Sequence, residues 1–442
     1  MPKAFFLYFY IPSMYLPITK ATPNSPEVLK LCSRSAAQNG EIEKLVKEIL
    51  LNIKEKGLEA VLGYAKKYDG LAKNSLKISG EEIKKAASKI DLKLKNALKQ
   101  AIENVKIFHQ KQVEKSWSFK GKDGEILGQK IRPLKRVGLY VPGGAGVYPS
   151  TLIMNAVPAI VAGVKELVVV SPVKGGLHNS IAFVLRELGI KEAYHIGGAQ
   201  AVGLLAFGAK GIAPVDKIVG PGNVFAAFAK KEVFGTVDID MLAGPSEIAV
   251  LADGTANPEW VAADMLSQAE HGSGFEASVC VTDSLPFAKK LANCIAEQVQ
   301  TSPKREILER ALGAYGRIFI AKNMYAAVEI VNRIAPEHLE IVAKNQDELE
   351  KLVENAGAIF IGPYSSESVG DYFAGPNHVL PTNGTARFAG PLGVYDFLKR
   401  TSIIRYSEKA LQKNGENIAE IANSEGFCHH ARAVTLRQVI KK

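Results

Sequence analysis

Apolar and polar residues follow two different periods along this chain. Residues 41–67 (EIEKLVKEILLNIKEKGLEAVLGYAKK) keep a helical period, with Leu45, Ile49 and Ile53 on one stripe. Residues 80–115 repeat that texture and stop before the charged turn KGKDGE at 120–125, so the first quarter of the chain predicts helices. From residue 136 the pattern changes to short apolar runs. RVGLYVP (136–142), ELVVVSP (166–172), AYHIGG (193–198) and KIVGPG (217–222) predict strands. Helical stretches at 151–164, 179–189 and 201–209 separate them, the first with a kink expected at Pro158. The alternation then repeats. EIAVLAD (247–253), ASVCVTD (277–283), GRIFIA (316–321), HLEIVA (338–343) and AIFIG (358–362) predict strands, with helices at 258–271, 286–300, 324–333 and 346–355. Strands alternating with helices in this way form βαβ units and parallel sheets. The expected architecture is α/β, with one unit near 138–245 and a second near 247–362. Beyond 405 the helical texture returns, at 408–423 and 430–440.

Composition narrows the functional classes. The 442 residues are 47% hydrophobic and 23% charged, an ordinary globular balance with room for two to four domains. The net charge is +10, but Lys and Arg are mixed with Glu along 41–66 and 80–115, as on solvated helices. No basic stripe carries interleaved aromatics, which argues against nucleic acid and leaves small anions as the natural guests. The four cysteines form no CxxC pair and no disulfide framework, which fits a reducing cytoplasm. The apolar, aromatic start MPKAFFLYFYIPSMYLPITK is too short and too broken by proline to span a bilayer. It reads as an extended docking arm, or as sequence upstream of a start at Met14.

Three expected strands of the first unit end in glycine-rich turns: VPGGAGVYP (141–149), IGGAQA (196–201) and VGPGN (219–223). Ligands of parallel sheets sit at the carboxyl ends of strands, and glycine lets backbone N–H groups approach phosphates closely. None of the turns completes G-x-G-x-x-G, so a nucleotide site and plain tight turns stand about even on this texture. Tyr140, Gln200 and Asn223 lie in or beside these turns, able to meet a base, ribose or amide.

A second chemistry concerns metal ions. In SQAEHG (267–272), Gln268 and His271 are three apart and share one helix face. That spacing suits two ligands to one ion, and equally a polar helix end whose histidine offsets the dipole. Further polar clusters lie far along the chain. SVGDYFAGPNHVLPT (368–382) holds Asp371 and His378, and EGFCHHARAV (425–434) holds Glu425, His429 and His430. In IAPEHLEIV (334–342), Glu337 and His338 could form an acid–base pair or a solvated strand edge. His109 and His178 read as surface residues and His195 as structural.

Together these segments resemble the histidinol dehydrogenase family. The matching motifs are VGLYVPGG (137–144), GGAQAV (197–202), VGPGN (219–223), DMLAGPSE (240–247), SQAEHG, APEHLE (335–340), GDYFAGPNHVLPTNGTARFAGPLGVYDFLKRTS (370–402) and HARAVTLR (430–437). They occur in the family's order, from about residue 33 to 440. The resemblance implies two incomplete Rossmann-like domains with parallel sheets, plus helical N- and C-terminal segments that intertwine in a homodimer. It implies a zinc-dependent, NAD-dependent, four-electron oxidation of L-histidinol to L-histidine through histidinal. The zinc ligands it implies are Gln268, His271, Asp371 and His430, the last supplied by the partner subunit. Glu337 and His338 match the catalytic pair. Ser246, His378 and Glu425 match substrate contacts, beside the zinc ligands and His338. Tyr140, Gln200 and Asn223 match NAD contacts. The expected division is an arm over 1–32 and a helical region over 33–137 packing with the second α/β unit. An NAD-side unit over 138–246 and a zinc and catalytic unit over 247–385 follow, and a helical segment over 386–442 reaches the partner's site. Two alternatives are a related zinc and NAD dehydrogenase acting on another polar alcohol, and a nucleotide-binding protein with purely structural zinc.

Overall fold

The computed structural model describes residues 16–34, 40–72, 75–143, 146–172 and 176–438. Its strands, in chain order, are β1 (Ile18–Lys20), β2 (Trp117–Lys120), β3 (Ile126–Pro133), β4 (Arg136–Tyr140), β5 (Glu166–Ser171), β6 (Glu192–His195), β7 (Lys217–Val219) and β8 (Asp238–Ile239). There follow β9 (Glu247–Ala252), β10 (Ala277–Thr282), β11 (Gly316–Ile320), β12 (His338–Val342), β13 (Ala358–Ile361) and β14 (Leu398–Arg405). One parallel sheet has the order β6-β5-β4-β7-β8. The second has the order β1-β11-β10-β9-β12-β13, also parallel throughout. Counted within each unit, and leaving out the added β1, both sheets run 3-2-1-4-5. That is the Rossmann order without its sixth strand, so the expected pair of incomplete Rossmann-like units is present.

Packing explains why these strands were legible. Helices cover both faces of each sheet, so β9 and β10 are buried at every position and read as unbroken apolar runs. On the first sheet, Leu139 and Val169 pack with helices Pro149–Ala162 and Asn179–Glu187, while Val168 and Ile218 pack with Gly198–Phe207 and Val224–Val233 on the other face. On the second, Val250 and Cys280 meet helices Pro258–Ala269 and Leu285–Thr301, and Leu251 and Val279 meet Met324–Ile334.

Several expectations need correction. The stretch 41–67 is two helices, Gly40–Lys56 and Leu58–Asp69, because Gly57 turns the chain with φ 57°. The stretch 80–115 is also two, Gly80–Ala87 and Leu92–Gln110, the second opened by Asp91 accepting from the backbone of Lys93 and Leu94. These helices pack chiefly on the first α/β unit, although Leu92–Gln110 also meets the turn Gly370–Ala374, where Asn104 donates to the Phe373 carbonyl. Gly203 favours one contact: a Cβ there would lie 2.9 Å from Ile53 Cδ1, so glycine lets the helix approach without Ile53 shifting. Leu98 and Val105 likewise join the core around Met154. Residues 1–15 of the expected arm lie outside the described residues. The rest of that segment is integral to the second unit: β1 pairs with β11, and Val28 and Leu31 of helix Pro26–Cys32 enter the core beside Met324–Ile334.

The sequence reading also missed a three-stranded antiparallel sheet, β14-β3-β2, and a helix at Arg305–Tyr315. β2 is exposed at all four positions and β14 at seven of eight, so neither carries the alternation that marks a half-buried strand. Helices Glu408–Ser424 and Cys428–Thr435 pack against each other. Lys409 and Lys413 tie this hairpin to Asp123 in the β2–β3 turn. No helix among the described residues is long and apolar enough to cross a membrane.

Candidate active site

The strongest convergence of polar side chains lies at the amino ends of β9 and β12, where His338 stands in register with Ile248. This is the opposite end from the one favoured in open α/β sheets. Glu337 is 7% exposed and His338 2%. The Glu247 backbone N–H donates to Glu337 Oε2 at 2.9 Å, and the His338 Nδ1–H donates to the Glu247 carbonyl at 3.0 Å. On its other side, His338 Nε2 lies 3.3 Å from Asp371 Oδ1. Asp371 projects from the wide π-helical turn Gly370–Ala374, whose following loop returns His378 Nδ1 to donate to the Asp371 carbonyl at 2.9 Å.

SQAEHG completes this cluster. Helix Pro258–Ala269, with proline in its first turn and Asn257 accepting from Glu259 N–H, delivers Gln268 fully buried. The Gln268 Nε2 lies 3.2 Å from His338 Nδ1, and its Oε1 is buried with no hydrogen-bond partner. His271 follows one turn on, with Nδ1 at 3.1 Å from Ser246 Oγ. Thus Ser246, Gln268, His271, Glu337, His338, Asp371 and His378 come together from four separate chain segments.

The electrostatics show a surplus of acid around one base. Burial pushes Glu337 up to about 8, and burial pushes Glu367 up to about 7. Burial opposes charge on His338, yet Glu337, Asp371 and Glu367 outweigh it and raise its pKa well above the ordinary value. Burial also works against the Asp371 carboxylate, but its bond to His338 and the nearby histidines hold its pKa low. His271 reaches solvent on one side, but the crowding around it disfavours its charged form and lowers its pKa; burial does the same to His378. Ligand atoms of His338, Glu367 and Asp371 lie within 4.8 Å of one another. A divalent cation fits this environment. The unpartnered Gln268 oxygen, a neutral His271 and an ionised Asp371 are suitable ligands, and the acids Glu337, Glu367 and Asp371 outnumber the one positive charge that His338 can carry.

Two implied site residues stand apart. Glu425 is exposed at the end of helix Glu408–Ser424, and His430 is exposed on Cys428–Thr435 with its ring 5.1 Å from that of Phe427. Among the described residues no hydrogen bond or ion pair joins either to the His338 cluster.

The implied cofactor residues gather at the carboxyl end of the first sheet, around its switch point between β4 and β7. Tyr140 is buried, accepts the Gly198 N–H at 2.8 Å, and is pushed up to about 12 by burial. Gln200 donates to Asp69 at 2.9 Å, and Asn223 caps helix Val224–Val233. Tyr140 and Gln200 therefore shape this crevice while spending their polar atoms inside the protein. Gly220 has φ 111°, and a Cβ there would come within 2.2 Å of the Tyr140 carbonyl. Beside it, the buried Asn155 Oδ1 has no partner. The Gly220 N–H and carbonyl are taken by Asp240 and Lys230, so the unsatisfied Asn155 acceptor is the feature here that fits a bound cofactor. Gly144 and Ala145 of the first glycine turn lie outside the described residues.

The sequence reading missed Glu247, Glu340, Glu367 and Asp264 as parts of this region. The available signal was a charge opening or interrupting an apolar strand, as in EIAVLA and HLEIVA. It also misplaced His109, which is fully buried, with Nδ1 donating to Val105 O at 2.7 Å and Nε2 lying 3.4 Å from Asn377 Nδ2. His178 caps helix Asn179–Glu187.

Comparison with known proteins bears on the whole chain. A family model described as histidinol dehydrogenase matches residues 32–438. The histidinol dehydrogenase of Bacillus subtilis is 48% identical over 419 residues, covering 94% of this chain and 98% of that one. The one from Aquifex aeolicus is 46% identical over 410 residues, covering 92% and 95%. A crystal structure of histidinol dehydrogenase from Elizabethkingia anophelis superposes with a TM-score of 0.89 at 33% identity, covering 96% of this chain and 98% of that one.

Proposed function

The chain belongs to the histidinol dehydrogenase family, and from that premise we propose that it oxidises L-histidinol through histidinal to L-histidine, with zinc bound and NAD as acceptor. The observation that carries this reading is the convergence of Gln268, His271 and Asp371 on the buried Glu337–His338 pair. A non-catalytic zinc protein has no use for such a pair.

Gln268 Oε1, His271 and Asp371 would hold zinc, with His430 of a second copy as the fourth ligand. Zinc there supplies an anchor for the imidazole and amino nitrogens of the substrate, and NAD over the first sheet supplies the hydride acceptor. The protein's own groups handle the protons. His338 Nδ1–H is committed to the Glu247 carbonyl, so Nε2, once the charge of a bound dication offsets the acids that favour its protonated form, would take the hydroxyl proton in the alcohol step. Glu337 Oε2 is held by the Glu247 N–H, which leaves Oε1 to take a proton from the water that adds to the aldehyde. The amino ends of β9 and β12 fix both groups, so each acts from a rigid frame. His378, Ser246 and the second copy's Glu425 would contact the substrate, and Tyr140, Gln200 and Asn223 would form the NAD crevice. Free cysteines throughout the described residues suit a cytoplasmic enzyme.

NAD reduction with L-histidinol, before and after treatment with a chelator, tests the reading. The expected result is NADH formation, lost on chelation and restored by zinc. Turnover of other polar alcohols but not histidinol would instead favour a related dehydrogenase.

A further inference from the structure

The carboxylate of Glu247 touches no expected ligand of zinc, yet the catalytic pair is built around its residue. Its N–H holds Glu337 Oε2 at 2.9 Å, and its carbonyl takes the His338 Nδ1–H at 3.0 Å. Its own Oε2 accepts the Glu337 N–H at 3.3 Å, and its Oε1 accepts the Asn383 N–H at 2.7 Å. The last partner is Arg34, whose Nη2 meets Oε1 at 2.5 Å with both side chains almost wholly buried. Every contact of this carboxylate is therefore a donor, which is the environment of an ionised group.

Arg34 comes from a distant part of the chain. β1 fixes one end of its segment to the edge of the second sheet, and helix Pro26–Cys32 docks beside Met324–Ile334. The backbone then places Arg34 behind the active site, where it is 7% exposed. A buried cation brought so far to one buried carboxylate is costly to desolvate, and hydrophobic residues of similar volume would often stabilise a fold as well. The pair therefore calls for a role beyond stability.

We propose that Arg34 and Glu247 are positioning residues: their ion pair holds the Glu337 and Asn383 backbone, and with it the Glu337–His338 pair, in reacting geometry. With Arg34 present, Glu247 stays an acceptor at both oxygens, and the segments at 247, 337 and 383 are pinned to one point. Without it, the buried carboxyl takes up a proton, loses acceptor capacity and releases the two N–H groups. The titratable groups facing Glu247 are Arg34, Glu337, His338 and Cys32; burial pushes its carboxyl up, and Arg34 is the largest influence drawing it back down. As a positioning role in catalysis, the proposal rests on the dehydrogenase reading above; as a statement about backbone order, it does not.

The test compares Arg34→Met and Arg34→Lys with the full-length wild type, all zinc-loaded and checked as folded by circular dichroism. Hydrogen–deuterium exchange is followed in peptides covering residues 244–248, 336–339 and 382–385. Arg34→Met is expected to speed exchange in all three by tenfold or more, and Arg34→Lys to return it to within about threefold of wild type. In steady-state assays Arg34→Met should lower kcat at least tenfold with KM for L-histidinol changed less than threefold, and Arg34→Lys should recover most of the loss. A folded Arg34→Met enzyme with wild-type exchange in these peptides overturns the proposal, and so does wild-type kcat. Wild-type inactivity toward histidinol would sink the dehydrogenase reading alone, because the exchange experiment still decides the positioning claim.

Discussion

Glu337 and His338 are adjacent in the chain but burial acts on them in opposite directions. Burial pushes the carboxyl up to about 8 and opposes charge on the imidazole, whose pKa the surrounding acids nevertheless raise. Their different positions support different tasks. His338 faces Asp371, and Glu337 has one oxygen committed to backbone and one left for water. Glu337→Gln keeps the size and an acceptor oxygen but removes the proposed base. Loss of a positioned base costs about 10²- to 10⁴-fold. Single-turnover NADH formation should fall by at least about a hundredfold from histidinal and by less than about tenfold from histidinol. Equal losses from the two substrates would show that Glu337 does not act in the aldehyde step. Little of this was readable beforehand. APEHLE is compatible with a solvated strand edge, and it is burial that makes the dipeptide chemically unusual.

At the scale of elements, the site depends on how helix Pro258–Ala269 meets β12, and that contact contains a second acidic surplus. Glu340 projects from β12 toward Asp264 of the helix, and accepts the Glu367 N–H at 2.8 Å. Burial and the facing Asp264 carboxyl push Glu340 up to about 9. The sign follows from linkage. In the unfolded chain this carboxyl loses its proton near its ordinary value of about 4.3, whereas the folded protein keeps it to about 9. Its stabilising contribution is thus complete below the unfolded value and is lost as pH rises to the folded one. The slope approaches about 1.4 kcal/mol per pH unit between them. Glu340→Gln stays neutral at every pH, so it should flatten the fall in unfolding free energy seen for the wild type between pH 6 and 9. Denaturant titrations across that range measure it, and parallel curves for the two proteins would refute the assignment. The signal in the sequence was slight, because apart from the one interrupting charge HLEIVA satisfies every expectation of a buried strand. Its charge is explained only by the helix that lies across it. Pattern could identify the strands and helices one at a time, but the contacts between this helix and β12 join residues 70 or more positions apart, as in Gln268 and His338.

For the whole molecule, legibility followed the same rule. Both Rossmann-like units were visible because strands covered on both faces are uniformly apolar. The β14-β3-β2 sheet was not, because β2 and β14 are exposed and carry no alternation to mark them. The same exposure marks the C-terminal hairpin, where Ile421, Phe427 and Leu436 are open to solvent in the single chain. An apolar surface of that kind is ordinarily covered by a partner. The hairpin also carries Glu425 and His430, the two implied site residues that a single chain keeps apart from Asp371 and His338. A homodimer in which each hairpin reaches the other subunit's site accounts for both facts at once. It makes a sharp prediction for mixed subunits. Glu337→Gln removes the base of its own site, and His430→Ala removes a ligand from the opposite one. Each homodimer is expected to be inactive in histidine formation. In a mixed dimer, however, both defects fall on one site, since the altered hairpin serves the site that already lacks its base. The other site then has Glu337 from one subunit and His430 from its partner, both intact. Random reassociation of equal amounts makes half of the dimers mixed, each with one working site, so activity should recover to about a quarter of wild type. If each hairpin instead served its own subunit, no dimer would contain a complete site. Mixed dimers isolated by two affinity tags and found inactive would therefore rule out sharing, whatever the zinc content of the parents.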